Sequence, residues 1–131
     1  MYIVKEQQKT EKELIRMSKT LEKLIERAER TGKAVLNGRK RDYQYVGPLE
    51  EKYAVIIKDN TVTLSHWGTE TLKIDTVTKE VIDVYGESVS DRDSVNYVLS
   101  YFNIPYHVHY FPSRYAFELH TDEKDEVVVS V

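Results

Sequence analysis

Residues from about Thr10 to Arg30 carry the hydrophobic period of one helix. Leu14, Met17, Leu21, Leu24 and Ala28 are spaced 3-4-3-4, and Ile15 and Ile25 widen the stripe. The stripe lasts about two heptads, too short for a long coiled coil. It suits a helix packed on its own sheet, and equally a helix shared between subunits. Gly32 is placed to close it.

Beyond Gly32 the pattern changes to short strands. Ala34 to Leu36 and Arg39 to Val46 flank Asn37-Gly38, the strongest local signal for a hairpin turn. Tyr43 and Tyr45 fall on one face of the second strand, and Gly47-Pro48 breaks it. Tyr53 to Lys58 is β-branched, Asp59-Asn60 turns the chain, and Thr61 to His66 returns. Trp67-Gly68 marks a bulge or turn. Thr71 to Asp75 alternates as a half-buried strand does, and Glu80 to Tyr85 follows.

Ser90 then reads as a helix N-cap, with Asp93 at the capping-box position. Val95, Val98, Leu99 and Phe102 form the apolar stripe of this second helix. Asn103 ends it and Pro105 prevents continuation. Tyr106 to Phe111 and Tyr115 to His120 form a hairpin around Pro112-Ser113-Arg114. Thr121 to Glu126 is an acidic turn, and Val127 to Val131 a last strand. The predicted fold is α+β: an antiparallel meander with a long N-terminal helix and a second helix packed on the sheet. At 131 residues it is one domain, with 1–32 as an oligomerisation helix and 33–131 as the core.

Composition narrows the function. A net charge of −3 argues against a protein built mainly for long nucleic acid. The absence of cysteine excludes disulfides, thiolate metal sites and thiol nucleophiles. No apolar run approaches the roughly 20 residues of a membrane span, and no signal core opens the chain, so a cytosolic protein is expected. Ten tyrosines against three phenylalanines favour half-wet surfaces such as interfaces and ligand pockets.

Three constellations carry candidate chemistry. Arg27, Arg30, Lys33, Arg39, Lys40 and Arg41 are opposed only by Glu29, a phosphate site or a solvated helix end. Tyr85, Ser90, Arg92 and Asn96 gather at the second helix's start. An aromatic there can stack on a base and an amide can read a base edge. Tyr106 to Tyr115 contains His107 and His109 on one strand face, with His66 or His120 as a third ligand for a metal. No spacing among them is specific, so no metal is assigned. Arg114, between Tyr110 and Tyr115, is placed to stack or to pair with phosphate. There is no nucleophile elbow, phosphate-cradling glycine loop or paired-carboxylate motif.

Trp67 after a strand, followed by Tyr85-Gly86-Glu-Ser-Val-Ser-Asp-Arg-Asp-Ser-Val-Asn96, resembles the Thoeris anti-defence one family. The resemblance spans about Tyr53 to Leu119. It implies a phage protein in the host cytoplasm that sequesters cyclic ADP-ribose isomers without cleaving them. It also implies separate sites for cyclic di- and trinucleotides, and homo-oligomers from dimer to hexamer. By position, Asn96 would be the base-reading asparagine, Tyr85 the stacking aromatic and Arg114 the ligand-facing arginine. The family's second nearby arginine has no counterpart close after Arg114. The larger cyclic oligonucleotides would fit Arg27, Arg30 and Lys33. A non-enzymatic binder needs neither catalytic residues nor cofactor. The alternative is a protein-directed inhibitor of a host nuclease, presenting Glu118, Asp122, Glu123, Asp125 and Glu126 as a nucleic-acid mimic. A third class is a nucleotide-cleaving enzyme.

Overall fold

A computed structural model describes the backbone of residues 2–42 and 45–130, and the side chains of residues 11–41 and 45–128. Helix α1 (Tyr2–Thr31) leads into a five-stranded antiparallel sheet. Its strands are β1 (Lys33–Asp42), β2 (Tyr45–Lys58), β3 (Thr61–His66), β4 (Thr69–Asp75) and β5 (Val81–Val84), paired in sequence order. Helix α2 (Val89–Tyr101) follows. Strands β6 (Tyr106–Phe111), β7 (Ala116–Thr121) and β8 (Val127–Ser130) then form a second antiparallel sheet. The α+β architecture is as expected: β1–β5 form the antiparallel meander, and β6–β8 form a second, smaller sheet.

The core explains the helix pattern. Leu21, Leu24, Ile25 and Ala28 are buried with Val55, Val62, Leu64 and Ile74 of the first sheet. Burying each large side chain fully is worth roughly 1.5–3 kcal/mol. Leu14 and Ile15, at 44% and 54% exposure, lie outside this core. The C-terminal half of α1 therefore packs on its own sheet, whereas Leu14 and Ile15 face outward. Gly32 closes α1 at φ +89°, its N–H donating to Ala28 O at 2.7 Å. No described helix is long and apolar enough to cross a membrane.

Helix α2 joins the two sheets, packing on α1, on β6 and against β3 and β4. Val95, Val98 and Leu99 are buried, as their spacing predicts. Asn103 ends the helix at φ 55°. The second link is Gly86 against Phe117. A Cβ at Gly86 would stand 2.4 Å from the Phe117 ring, so only glycine admits this approach.

Two sequence expectations fail between residues 33 and 58. Asn37-Gly38 is not a turn: both residues lie within β1, paired with Glu51 and Glu50. The ladder skips Lys52 there, whose Cβ would meet a side chain on Gly38 at 3.2 Å. Glycine marks a bulge, not a hairpin. Gly47-Pro48 does not break β2 either. Arg39 pairs with Leu49 and Arg41 with Val46, so Gly47 and Pro48 together oppose Lys40. Proline is tolerated in such a bulge because no ladder hydrogen bond is required of it. The expectation for Tyr43 lies outside the described residues.

Candidate functional site

Straightening β1 splits the basic cluster. Lys33 and Arg39 are six residues apart on one strand, about 20 Å. Arg27, Arg30 and Lys33 sit exposed where α1 meets β1, with Lys33 Nζ 3.9 Å from a Glu51 carboxylate oxygen. Arg39, Lys40 and Arg41 lie at the far end of the strand, lining a cavity of about 670 Å³. The bulge opposite Lys40 breaks the strict alternation of side chains, and all three cations reach this cavity.

Aromatic rings form the other walls. Tyr45, Trp67 and Tyr85 line the same cavity. Trp67 and Gly68 occupy the two-residue turn between β3 and β4, at φ 51° and 82°. Two positive φ values suit a tight hairpin turn, but a bulky tryptophan in the left-handed region is unusual. Strain of this kind collects at functional sites. The Lys40 Nζ stands 5.4 Å from the Trp67 ring centroid, a cation–π contact. Among the described residues, no carboxylate lies within salt-bridge distance of Arg39, Lys40 or Arg41.

The floor is the start of α2. Its N-cap is Ser88, not Ser90: the Ser88 hydroxyl accepts from the Asp91 N–H at 3.0 Å. Ser88-x-x-Asp91 and Ser90-x-x-Asp93 have the same capping spacing, so local pattern cannot choose between them. Tertiary structure chooses. Asp91 Oδ2 accepts from the Glu87 N–H at 3.0 Å, and Oδ1 pairs with His66 Nδ1 at 2.7 Å. Burial pushes the Asp91 carboxyl up, but the hydrogen bonds from His66 and the Glu87 N–H outweigh it and hold it below the usual carboxylate range. His66 also stacks on Tyr53, ring centroids 4.5 Å apart. Burial and the Asp91 charge push the Tyr53 phenol up.

Of the residues chosen from sequence for ligand binding, Arg39, Lys40, Arg41, Tyr85 and Ser90 line this cavity, and Arg27, Arg30, Lys33, Arg92, Asn96, Tyr110 and Arg114 do not. Asn96 is committed to backbone. Its Nδ2 donates to Val108 O at 3.0 Å, and its Oδ1 accepts from Val108 N at 2.7 Å. It ties α2 to β6. Arg92 pairs with its neighbour Asp93, Nη2 to Oδ1 2.8 Å. Tyr110 packs near Phe117, and the exposed Arg114 guanidinium lies 4.3 Å from the Phe111 ring centroid. Sequence reasoning did not single out Trp67, His66 or Asp91 as lining one cleft. The available signals were the Trp-Gly turn and the Ser88-x-x-Asp91 spacing.

A second arrangement sits on the small sheet. His107 and His109 share a face of β6, and His120 on β7 pairs directly with His107. Asp125, in the β7–β8 turn at φ 52°, meets all three. Its Oδ1 lies 2.9 Å from His107 Nε2, 3.2 Å from His109 Nε2 and 2.8 Å from His120 Nδ1. The two Nε2 atoms are 3.1 Å apart. Further carboxylates hold the outer nitrogens: Asp122 on His107 Nδ1 at 2.6 Å, and Glu118 on His120 Nε2 at 3.0 Å. Burial pulls the His120 imidazole down, but the hydrogen bonds to Glu118 and Asp125 raise it above its usual value. Hydrogen bonds from His109, then His107 and His120, hold the Asp125 carboxyl low against desolvation. Glu118, Asp122 and Asp125 therefore turn their charge toward histidines. That leaves only part of the acidic face expected of a nucleic-acid mimic.

No protein-family model, curated protein or solved structure matches this chain.

Proposed function

We propose that the chain binds a small anionic, ring-bearing ligand of the nucleotide class in the cleft between β1, the Trp67 turn and α2. The observation that carries this reading is the meeting of three cations with three aromatic rings in one open cavity. Arginine forks match phosphate oxygens, and each base stacked on an aromatic contributes about 1–3 kcal/mol. In its finer form, the resemblance makes the ligand a cyclic ADP-ribose isomer or cyclic oligonucleotide, held intact as a sponge holds a signal. Self-association through α1, whose Leu14 and Ile15 are exposed, belongs to the same proposal.

A turnover reading has one observation in its favour. His66 is oriented by a carboxylate within the cleft lining, as a general base is. Both readings are tested by one experiment. The protein is titrated calorimetrically with cyclic ADP-ribose isomers and cyclic di- and trinucleotides, and each complex is then heated and the released ligand identified. Intact ligand supports sequestration. Cleaved ligand, with cleavage lost in His66→Asn, supports an enzyme. No binding across the panel refutes the nucleotide reading.

A further inference from the structure

We propose that His107, His109, His120 and Asp125 form a structural site for a zinc-class divalent ion. The donors are His107 Nε2, His109 Nε2, His120 Nδ1 and Asp125 Oδ1, all within 4.8 Å of one another. In a tetrahedral zinc centre with bonds of about 2.0–2.1 Å, neighbouring donor atoms stand about 3.4 Å apart. Four of the six donor–donor spacings, at 2.8–3.2 Å, are close to that value, and the whole set lies within 4.8 Å. They are hard to satisfy by protons alone. Two imidazole nitrogens 3.1 Å apart share at most one proton between them, and one carboxylate oxygen faces three rings. A cation at the centre would satisfy all four lone pairs together.

The outer carboxylates support the same assignment. Histidine ligands commonly donate their other ring N–H to a carboxylate, which fixes tautomer and orientation. Asp122 does this for His107 and Glu118 does it for His120. A fully protein-ligated, nitrogen- and oxygen-donor tetrahedron fits zinc better than magnesium or calcium, which prefer oxygen.

The location indicates what the ion does. The second sheet has three strands, of six, six and four residues. Helix α2 already backs β6, but the β7–β8 turn is exposed, and a chain without cysteine has no disulfide to tie it down. The ion would fasten the β7–β8 turn, through Asp125, to β6 and β7. Four protein ligands leave no open position, so the site holds structure and does not activate water.

The test uses the untagged, chelator-stripped full chain, titrated with Zn(II) and with Co(II). We expect one ion per chain, the intense visible spectrum of tetrahedral Co(II), and a Tm that rises with Zn(II). His109→Ala removes the tetrahedral spectrum while circular dichroism reports an intact fold. Glu118→Gln keeps all four ligands and weakens binding by about 10–100-fold. A weak six-coordinate Co(II) spectrum overturns the site. So does an affinity unchanged in His109→Ala. Binding with no rise in Tm overturns the structural role. If His109→Ala does not fold, the wild-type Co(II) spectrum decides alone.

Discussion

The two sheets gather polar side chains in opposite ways. On the first, Arg39, Lys40 and Arg41 converge on a cavity walled by aromatic rings, without a carboxylate at salt-bridge distance among the described residues. On the second, four donors close upon one another, and two outer carboxylates hold them in place. Like charges gathered without partners are costly unless something else neutralises them. The first sheet therefore reads as a receptor for an anion from outside, and the second as a self-completing staple. Helix α2 carries a part of each: Ser88 and Asp91 belong to the cleft, and Asn96 braces β6, the strand that bears two of the histidines.

The largest expected effect breaks the joint between the regions. Phe117→Ala removes the fully buried ring against Gly86 and should cost about 3–5 kcal/mol in urea unfolding. Gly86→Ala attacks the same contact from the other side. Overpacking there should cost about 1–3 kcal/mol, and the loss should shrink in the Phe117→Leu background.

Two substitutions sharpen the division of labour. Trp67→Ala should weaken nucleotide binding by about 1–3 kcal/mol in calorimetry, with the Zn(II)-dependent rise in Tm intact. Asn96→Ala should do the reverse. It strands the Val108 N–H and C=O, costing about 1–3 kcal/mol of stability, while affinity at the cleft stays unchanged. A large loss of nucleotide affinity in Asn96→Ala, with stability intact, would return that residue to the base-reading role implied by the family resemblance.

The smallest effect is set by pH. Asp91 titrates below its ordinary value in the fold, so the folded state favours its ionised form. Its contribution is fully present above the unfolded value of about 3.9, and is lost as pH falls through the lower folded value. The stability difference between wild type and Asp91→Asn, measured by urea unfolding, should therefore be larger at pH 7 than at pH 3.

What the sequence made legible follows the range of the forces involved. The stripe from Leu21 to Ala28 and the αL stops at Gly32 and Asn103 are local, and they appear as read. Asn37-Gly38 misled because glycine also serves where a neighbouring strand runs too close for a side chain, here at Lys52. Pairing with the fourteen-residue β2 decides the matter, and nothing near residue 37 records it. That single error kept the six basic residues together on paper, when an extended β1 carries three of them away. The histidine site was half visible. Period-two spacing puts His107 and His109 on one face, but His120 needs the β6–β7 register and Asp125 needs the left-handed turn. Asn96 looked free for a ligand because its partner, Val108, lies on another element.

The most direct test of the central claim is calorimetry of wild type and the Arg39→Ala/Arg41→Ala double variant against the cyclic nucleotide panel, with Zn(II) affinity measured on both. At least one nucleotide is expected to bind wild type and to bind the variant at least about tenfold more weakly, a loss of about 1.4 kcal/mol, with Zn(II) binding equal in the two. Equal nucleotide affinity in wild type and variant, or no nucleotide bound by either, would contradict the claim.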